Sequence, residues 1–310
     1  MDISASASDS SADTHVPWGA AILYAVIAVG LAWLVMLPLW LGEGLASPLF
    51  LPLTAVMMYT PTAAALIVTL FVVRPERKAR YLGLVPFRPV GRKIGLILLW
   101  PLFWLIVGFG AFALAAALGW ADADWALAGL AQTLPAGMSV PMVVLITFAV
   151  LPVNILVASV AAFGEELGWR GFLTTALAPL GFWRSALIIG VLWGLWHAPL
   201  ILLGYNFMRP DVTGLLLMCG FTLFVGVLLQ WSRYWTGNVW PAVVGHGALN
   251  AVVPVTLMFT TVTVDPAVGT ALGVPGWIVM GVVILVLVAS GLLGRRGRPA
   301  RLHGAPTRLG

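Results

Sequence analysis

Residues 163–173 read FGEELGWRGFL and place Glu165, Glu166 and Arg170 inside an apolar run. A carboxylate or guanidinium at the centre of a hydrocarbon layer costs roughly 2.5–3.5 kcal/mol on insertion scales. Three such groups in close succession need partners or a purpose. Glu166 and Arg170 are four apart and share a helix face, with Glu ahead of Arg, the favourable order. Glu165 is rotated about 100° from its neighbour and finds no partner on its own helix. The pattern reads as a structural ion pair beside a free carboxylate. A desolvated carboxylate can act as general base toward water. A network that only fixes helix packing is the plain alternative.

The surroundings of this stretch decide the class. The chain has 310 residues, 61% hydrophobic and 9% charged, where a soluble domain carries about 25% charged residues. Apolar runs of about 20 residues recur along it, as a polytopic helical membrane protein requires. A soluble core would not repeat such runs, and a β-barrel would alternate apolar and polar residues. The expected fold is all-α, a polytopic transmembrane helical bundle of about eight spans. These fall near 18–41, 49–73, 94–119, 146–177, 182–203, 213–232, 239–259 and 271–293. Residues 1–16 read as a disordered cytoplasmic tail, 17–293 as the membrane domain and 294–310 as a basic cytoplasmic tail. The N-terminal stretch carries no Lys or Arg and so lacks the basic start of a signal peptide. No internal repeat is evident, which argues against a transporter of two inverted halves.

Charge sets the expected orientation. Arg74, Arg77, Lys78, Arg80, Arg88, Arg92 and Lys93 lie between spans two and three, and Arg295, Arg296, Arg298, Arg301 and Arg308 follow the last span. Arg184 and Arg233 read as loop residues of the same side. The opposite loops hold Glu43, Asp122, Asp124, Asp211 and Asp265. The positive-inside rule then puts both termini in the cytoplasm of a multi-pass plasma or inner-membrane protein. The basic residues form no groove-sized patch interleaved with aromatics, so no nucleic-acid partner is expected. Many of the 15 tryptophans, Trp100 and Trp240 among them, fall near span ends and read as interface anchors. Cys219 is the single cysteine and excludes an internal disulfide.

Two further polar stops interrupt apolar helices. His197 follows Trp193 by four residues, and Pro199 two residues later removes a backbone donor and promises a kink. His246 and Asn250 share a face and are flanked by Gly245 and Gly247, small residues that let helices approach. An imidazole and a carboxamide on one face can donate to an oxyanion developing at a peptide carbonyl. Their plain alternative is hydrogen bonding between helices. By helical rise, Glu165 and His197 sit at similar depth in neighbouring antiparallel spans. The chain has no HExxH, GxSxG or phosphate-loop pattern. His197, His246 and Glu165 are candidate zinc ligands, since two His and a carboxylate can make an open site. Nothing in their spacing demands a metal.

The three stretches together resemble the CPBP family of intramembrane proteases, the CaaX-protease and bacteriocin-processing (Abi) family. Its EExxxR motif is EELGWR at Glu165–Arg170, its FxxxH motif is WGLWH at Trp193–His197, and its HxxxN motif is HGALN at His246–Asn250. The resemblance covers roughly residues 145–255. The departure is Trp193, where the family usually has Phe. The resemblance implies an endopeptidase whose intramembrane site opens towards the cytoplasm. By position, Glu165 would activate water with help from His197. His246 and Asn250 would hold the oxyanion, and Glu166, Arg170 and Trp193 would orient the site. It implies no required cofactor on the glutamate reading, although members are often labelled metalloproteases. Eukaryotic members trim prenylated termini, and others are associated with bacteriocin maturation or immunity. Arg outnumbers Lys 14 to 2, a hint of a GC-rich bacterial genome, where a prenylated substrate is not expected. The expected partners are the bilayer and a membrane-associated peptide or protein. The alternatives are a non-catalytic immunity or scaffold protein that binds a partner through the same cleft, and a proton- or ion-coupled transporter.

Overall fold

Eight apolar helices carry the chain through the structure, a computed structural model that describes residues 15–260 and 263–293. They are α1 (Trp18–Leu41), α2 (Phe50–Val73), α3 (Val90–Ala117), α4 (Val140–Ala176), α5 (Phe182–Trp196), α6 (Val212–Thr236), α7 (Trp240–Phe259) and α8 (Pro266–Ala289). In hydrocarbon every backbone polar group needs an internal partner, and a helix supplies it within one segment. Seven of the eight are long and apolar enough to cross a membrane; α5 has only 15 residues. Among the described residues no strand forms, and one isolated antiparallel bridge pairs Ala123 with Thr260. The tail expected at 1–16 lies almost wholly outside the described residues, and the basic tail at 294–310 lies wholly outside them.

α5 ends earlier than its apolar run suggests. Its last turn closes at His197, and Leu200 N and Ile201 N both return to the His197 carbonyl. Pro199 has no N–H to continue the ladder. Fifteen residues rise about 22 Å, short of a bilayer core of about 30 Å. The rest of that path is a single turn, Ala198–Ile201, and the loop after it. The expected span to residue 203 therefore stops at a histidine well inside the bundle.

The loops sort into two ends. At one end the 74–89 segment meets the α6–α7 turn: Val239 N donates to Gly83 O, and Asn238 Nδ2 donates to Leu84 O and Pro86 O. At the other end Asp124 N donates to Phe259 O, and Phe50 meets Tyr205 edge to face. Arg209 pairs with Asp265 at that same end. Alternating helix directions require this division, and the loop contacts agree with it.

α7 is the central helix. Of its apolar window 61% is buried, against 17% for α4, whose outer face, with Val153, Leu156, Val157 and Val160, is exposed where lipid would lie. Glycines let its neighbours come close. A Cβ on Gly247 would stand 2.6 Å from Ser159 Cα on α4, and one on Gly245 would stand 2.6 Å from the Trp100 ring on α3. Trp104 Nε1 donates to the Gly245 carbonyl at 2.7 Å. Trp100 is thus a core residue stacked on Trp104, not an interface anchor. Position near a span end did not decide its place; the notch at Gly245 did.

Candidate active site

The polar residues converge because α4 widens where they occur. Leu167–Leu173 forms a π-helical stretch immediately after Glu166, and such wide turns often mark functional sites. Gly164 seats α4 against α2: its absent Cβ would lie 2.7 Å from Met58 O and 2.9 Å from the Tyr59 ring. Tyr59 Oη donates to Val160 O at 2.7 Å and ties the two helices just above.

The two adjacent glutamates have different surroundings. Glu166 is fully buried, and its Oε1 accepts from Arg170 Nη1 at 2.8 Å. The same oxygen lies 3.0 Å from His246 Nδ1. Glu165 makes neither contact. Its Oε2 accepts from Trp193 Nε1 at 2.7 Å, and the residue lines a cavity. Trp193 also lies under the Arg170 guanidinium, 4.4 Å from its carbon to the ring centre. One indole therefore orients both the free carboxylate and the cation of the neighbouring pair. The expected split between an ion pair and a lone carboxylate is what the geometry holds, with the lone carboxylate's partner supplied by α5.

The histidines are held by their Nδ1 atoms. His197 Nδ1 lies 2.7 Å from Trp193 O. A carbonyl can only accept, so Nδ1 carries a proton, and in the neutral form of the ring Nε2 keeps its lone pair. Trp196 meets the ring edge to face, and its own Nε1 donates to Thr60 Oγ1 at 3.0 Å. His246, bound through Nδ1 to Glu166, likewise leaves Nε2 unused by protein. Its ring meets Trp193 edge to face at 5.2 Å. Asn250, one turn on, is exposed and lines the cavity. Glu165, Trp193, His197, His246 and Asn250 all line that cavity, while Glu166 and Arg170 stand behind it.

The cavity holds about 720 Å³. From the polar cluster it runs between α2, α6 and α7 to the loop residues Tyr205, Asn206 and Met208 and to Thr260, Thr263, Val264 and Pro266. Those loops lie at the end of the bundle opposite the basic 74–93 segment. At the rim, Arg209 Nη1 and Nη2 donate to Asp265 Oδ1 and Oδ2 at 2.8 and 2.7 Å. These bonds hold the Asp265 carboxyl below the usual carboxylate range.

Several residues of the site have no signature in the sequence. Arg233 reads as a loop charge but is 2% exposed, and its Nε donates to the Arg170 carbonyl at 3.0 Å. Tyr24 on α1 is fully buried, stacked on Phe172 and edge-on to Trp169. Its helix carries no motif, and only the glycine spacing of α4 hints at a close neighbour there. Tyr59 and Thr60 on α2 are likewise found only through their tertiary hydrogen bonds.

Among the described residues no group of three His, Cys, Asp or Glu side chains stands close enough to hold a metal ion. His246 Nδ1 is taken by Glu166, and Glu165 Oε2 by Trp193. Those bonds use Nδ1 and one carboxylate oxygen, and leave His197 Nε2, His246 Nε2 and Glu165 Oε1 as the atoms that the candidate zinc set would use.

No curated protein matches the chain. Residues 146–252 match the family model described as Type II CAAX prenyl endopeptidase Rce1-like, a range that holds all three motifs and every polar residue of the cavity floor. That match supports a protease of the CAAX type, a hydrolase working in a multi-pass membrane protein. Residues 146–252 are an Rce1-like domain of the CPBP family.

Proposed function

We propose that the chain is an intramembrane endopeptidase that hydrolyses a peptide bond of a membrane-associated substrate with a water activated by Glu165. One observation carries the reading: of two adjacent buried glutamates, one is spent on Arg170 and His246 and the other faces the cavity.

The residues divide the work as follows. Glu165 takes a proton from water while the oxygen attacks the peptide carbonyl carbon. His197, its Nδ1 held by the Trp193 carbonyl, presents Nε2 as a second acceptor for that water. Charge develops on the carbonyl oxygen, and Asn250 Nδ2 with a protonated His246 Nε2 donates to it. As the C–N bond breaks, the proton held by Glu165 passes to the leaving amine, which returns the carboxylate. Glu166 fixes the imidazole of His246, Arg170 balances the charge of Glu166, and Trp193 fixes Glu165. Both tails read best as cytoplasmic, from the basic loops.

The test is a peptidase assay of the full chain in liposomes, on a diverse set of membrane-anchored peptides, lipidated ones included. Wild type and Glu165→Gln are compared, each with and without a strong chelator, and products are read by mass spectrometry. Cleavage by wild type, lost in the variant and unaffected by chelator, is the expected result. Loss with chelator and rescue by zinc would overturn the glutamate mechanism. Full activity in Glu165→Gln would overturn the assignment of the base.

A further inference from the structure

The basic residues between α2 and α3 gather around a second hollow, apart from the cavity of the polar cluster. Residues 74–93 hold seven Lys and Arg against one acid, Glu76. Arg77, Lys78 and Arg80 line an open hollow of about 390 Å³, with Ala79, Val85 and Pro86 as the rest of its lining. Among the described residues no acid lines it. The ion pairs of those residues join Glu166 to Arg170, Arg209 to Asp265 and Glu166 to His246, so none of the three cations has a carboxylate partner. Like charges so placed repel one another, and an anion seated among them would relieve the repulsion.

The hollow lies at the level where headgroups would meet the protein. α2 ends at Val73 and α3 begins at Val90, so the segment between them joins the ends of two apolar spans. Phe71 and Val72 precede it, and Phe87, Val90 and Ile94 follow the hollow; all five are exposed. Exposed apolar side chains beside exposed cations suit the boundary between acyl chains and anionic headgroups. A soluble phosphate would use the cations and leave those apolar neighbours without a partner.

The segment that carries the hollow is fastened to the helices of the site. Thr175 Oγ1 donates to Tyr81 O at 2.8 Å, Val239 N to Gly83 O at 2.9 Å and Asn238 Nδ2 to Pro86 O at 3.1 Å. Gly83, at φ +71°, turns over the Arg233 guanidinium, where a Cβ would lie 2.6 Å from Nη2. A left-handed turn in that space leaves glycine as the residue that fits. Arg233 Nε donates to the Arg170 carbonyl, Arg170 pairs with Glu166, and Glu166 holds His246. An unbroken run of contacts thus joins this segment to the polar cluster.

We propose that Arg77, Lys78 and Arg80 form a binding site for the phosphate of an anionic phospholipid, and that its occupancy stabilises the 74–89 segment against α4 and α6. The phosphate takes charge-assisted hydrogen bonds from the two guanidiniums and the ammonium. The acyl chains lie along the exposed apolar side chains of α2 and α3. A ligand that binds the folded chain and not the unfolded one raises its melting temperature. The inference does not depend on the chain being a peptidase.

The test uses the full chain in a neutral detergent, with fluorescent phosphatidylglycerol and phosphatidylcholine as probes. Wild type should bind phosphatidylglycerol at least about tenfold more tightly than phosphatidylcholine. The double variant Arg77→Ala, Lys78→Ala should lose at least about tenfold in affinity for phosphatidylglycerol. Arg88→Ala, Arg184→Ala removes two cations outside the hollow and should keep that affinity. All four side chains are exposed, so both variants should fold. Phosphatidylglycerol should raise the melting temperature of wild type and of the second variant, and not of the first. Inorganic phosphate at the same concentration should neither displace the lipid nor raise the melting temperature. Equal binding of the two lipids, or equal loss in the two variants, overturns the site. Displacement by inorganic phosphate overturns the lipid as its ligand.

Discussion

His246 is held by Glu166: its Nδ1 stands 3.0 Å from the carboxylate oxygen that also receives Arg170 Nη1. On the proposed mechanism the second glutamate of the pair is a positioning residue, and the consequences of neutralising the two should differ in kind.

Glu165→Gln keeps an oxygen for Trp193 Nε1 and removes the base. Cleavage should fall by about 10²–10⁴-fold with thermal unfolding in detergent unchanged. Glu166→Gln leaves the fully buried Arg170 without its counter-charge, and breaking a buried pair costs about 3–5 kcal/mol. Its melting temperature should drop clearly. Equal melting of the two variants would refute the division of roles.

Trp193→Phe keeps a ring beneath Arg170 and deletes the donor to Glu165. A hydrogen bond to a charged group contributes about 1.5–3 kcal/mol. If the bond holds Glu165 for attack, kcat should fall by about 10- to 100-fold with KM little changed. An unchanged kcat would mean that Glu165 is oriented without Trp193.

Gly164→Ala tests the seat of α4 on α2. The added methyl would meet the Met58 carbonyl, which is backbone and cannot rotate away. Overpacking of this kind costs about 1–3 kcal/mol, and it displaces the residue next to Glu165. Stability and cleavage should both fall. Gly30→Ala on α1, where a Cβ meets nothing within 4 Å, should leave both intact.

The rim pair sets a pH expectation. Asp265 has its carboxyl lowered by Arg209, so the pair's contribution is complete above the unfolded carboxyl value, about 3.9. It is lost only as pH falls through the lower folded value. Maleimide labelling of Thr263→Cys, read relative to an exposed control cysteine, should be flat from neutral pH down to about pH 4. Arg209→Ala should raise that labelling at neutral pH. Both residues are substantially exposed, so overall stability should barely move.

The sequence displays this fold and site unevenly. Apolar runs show the helices, because lipid leaves the backbone no other solution. The motif residues show the site because charge in such runs is rare. Arg233 escapes that logic: at the C-terminal turn of α6 it looks like an ordinary loop cation, and only the approach of Gly83 and Arg170 buries it. Tyr24, Tyr59 and Trp100 are ordinary membrane residues until Gly168, Gly164 and Gly245 bring other helices onto them. The early end of α5 was half visible in Pro199, but its closure on the His197 carbonyl depends on the local fold. The path of the cavity was not legible, because it depends on which loops stand apart and which lock together.

The packing of the 74–89 segment against α4, fastened by Thr175 Oγ1 on Tyr81 O, also bears on permeability. A hydrolase in a bilayer must admit water to its base, and a hydrated path across an energised membrane would conduct protons. The cavity that would admit water is blind toward the 74–89 segment, none of which lines it. It ends at the Trp193 layer, and Tyr81, Phe172, Leu173 and Leu177 fill the remaining depth. The transmembrane voltage should fall mostly across that packed layer, so Glu165 and the two histidines sit near the potential of the cavity. A protease of the proposed kind can then turn over without short-circuiting the membrane that holds it.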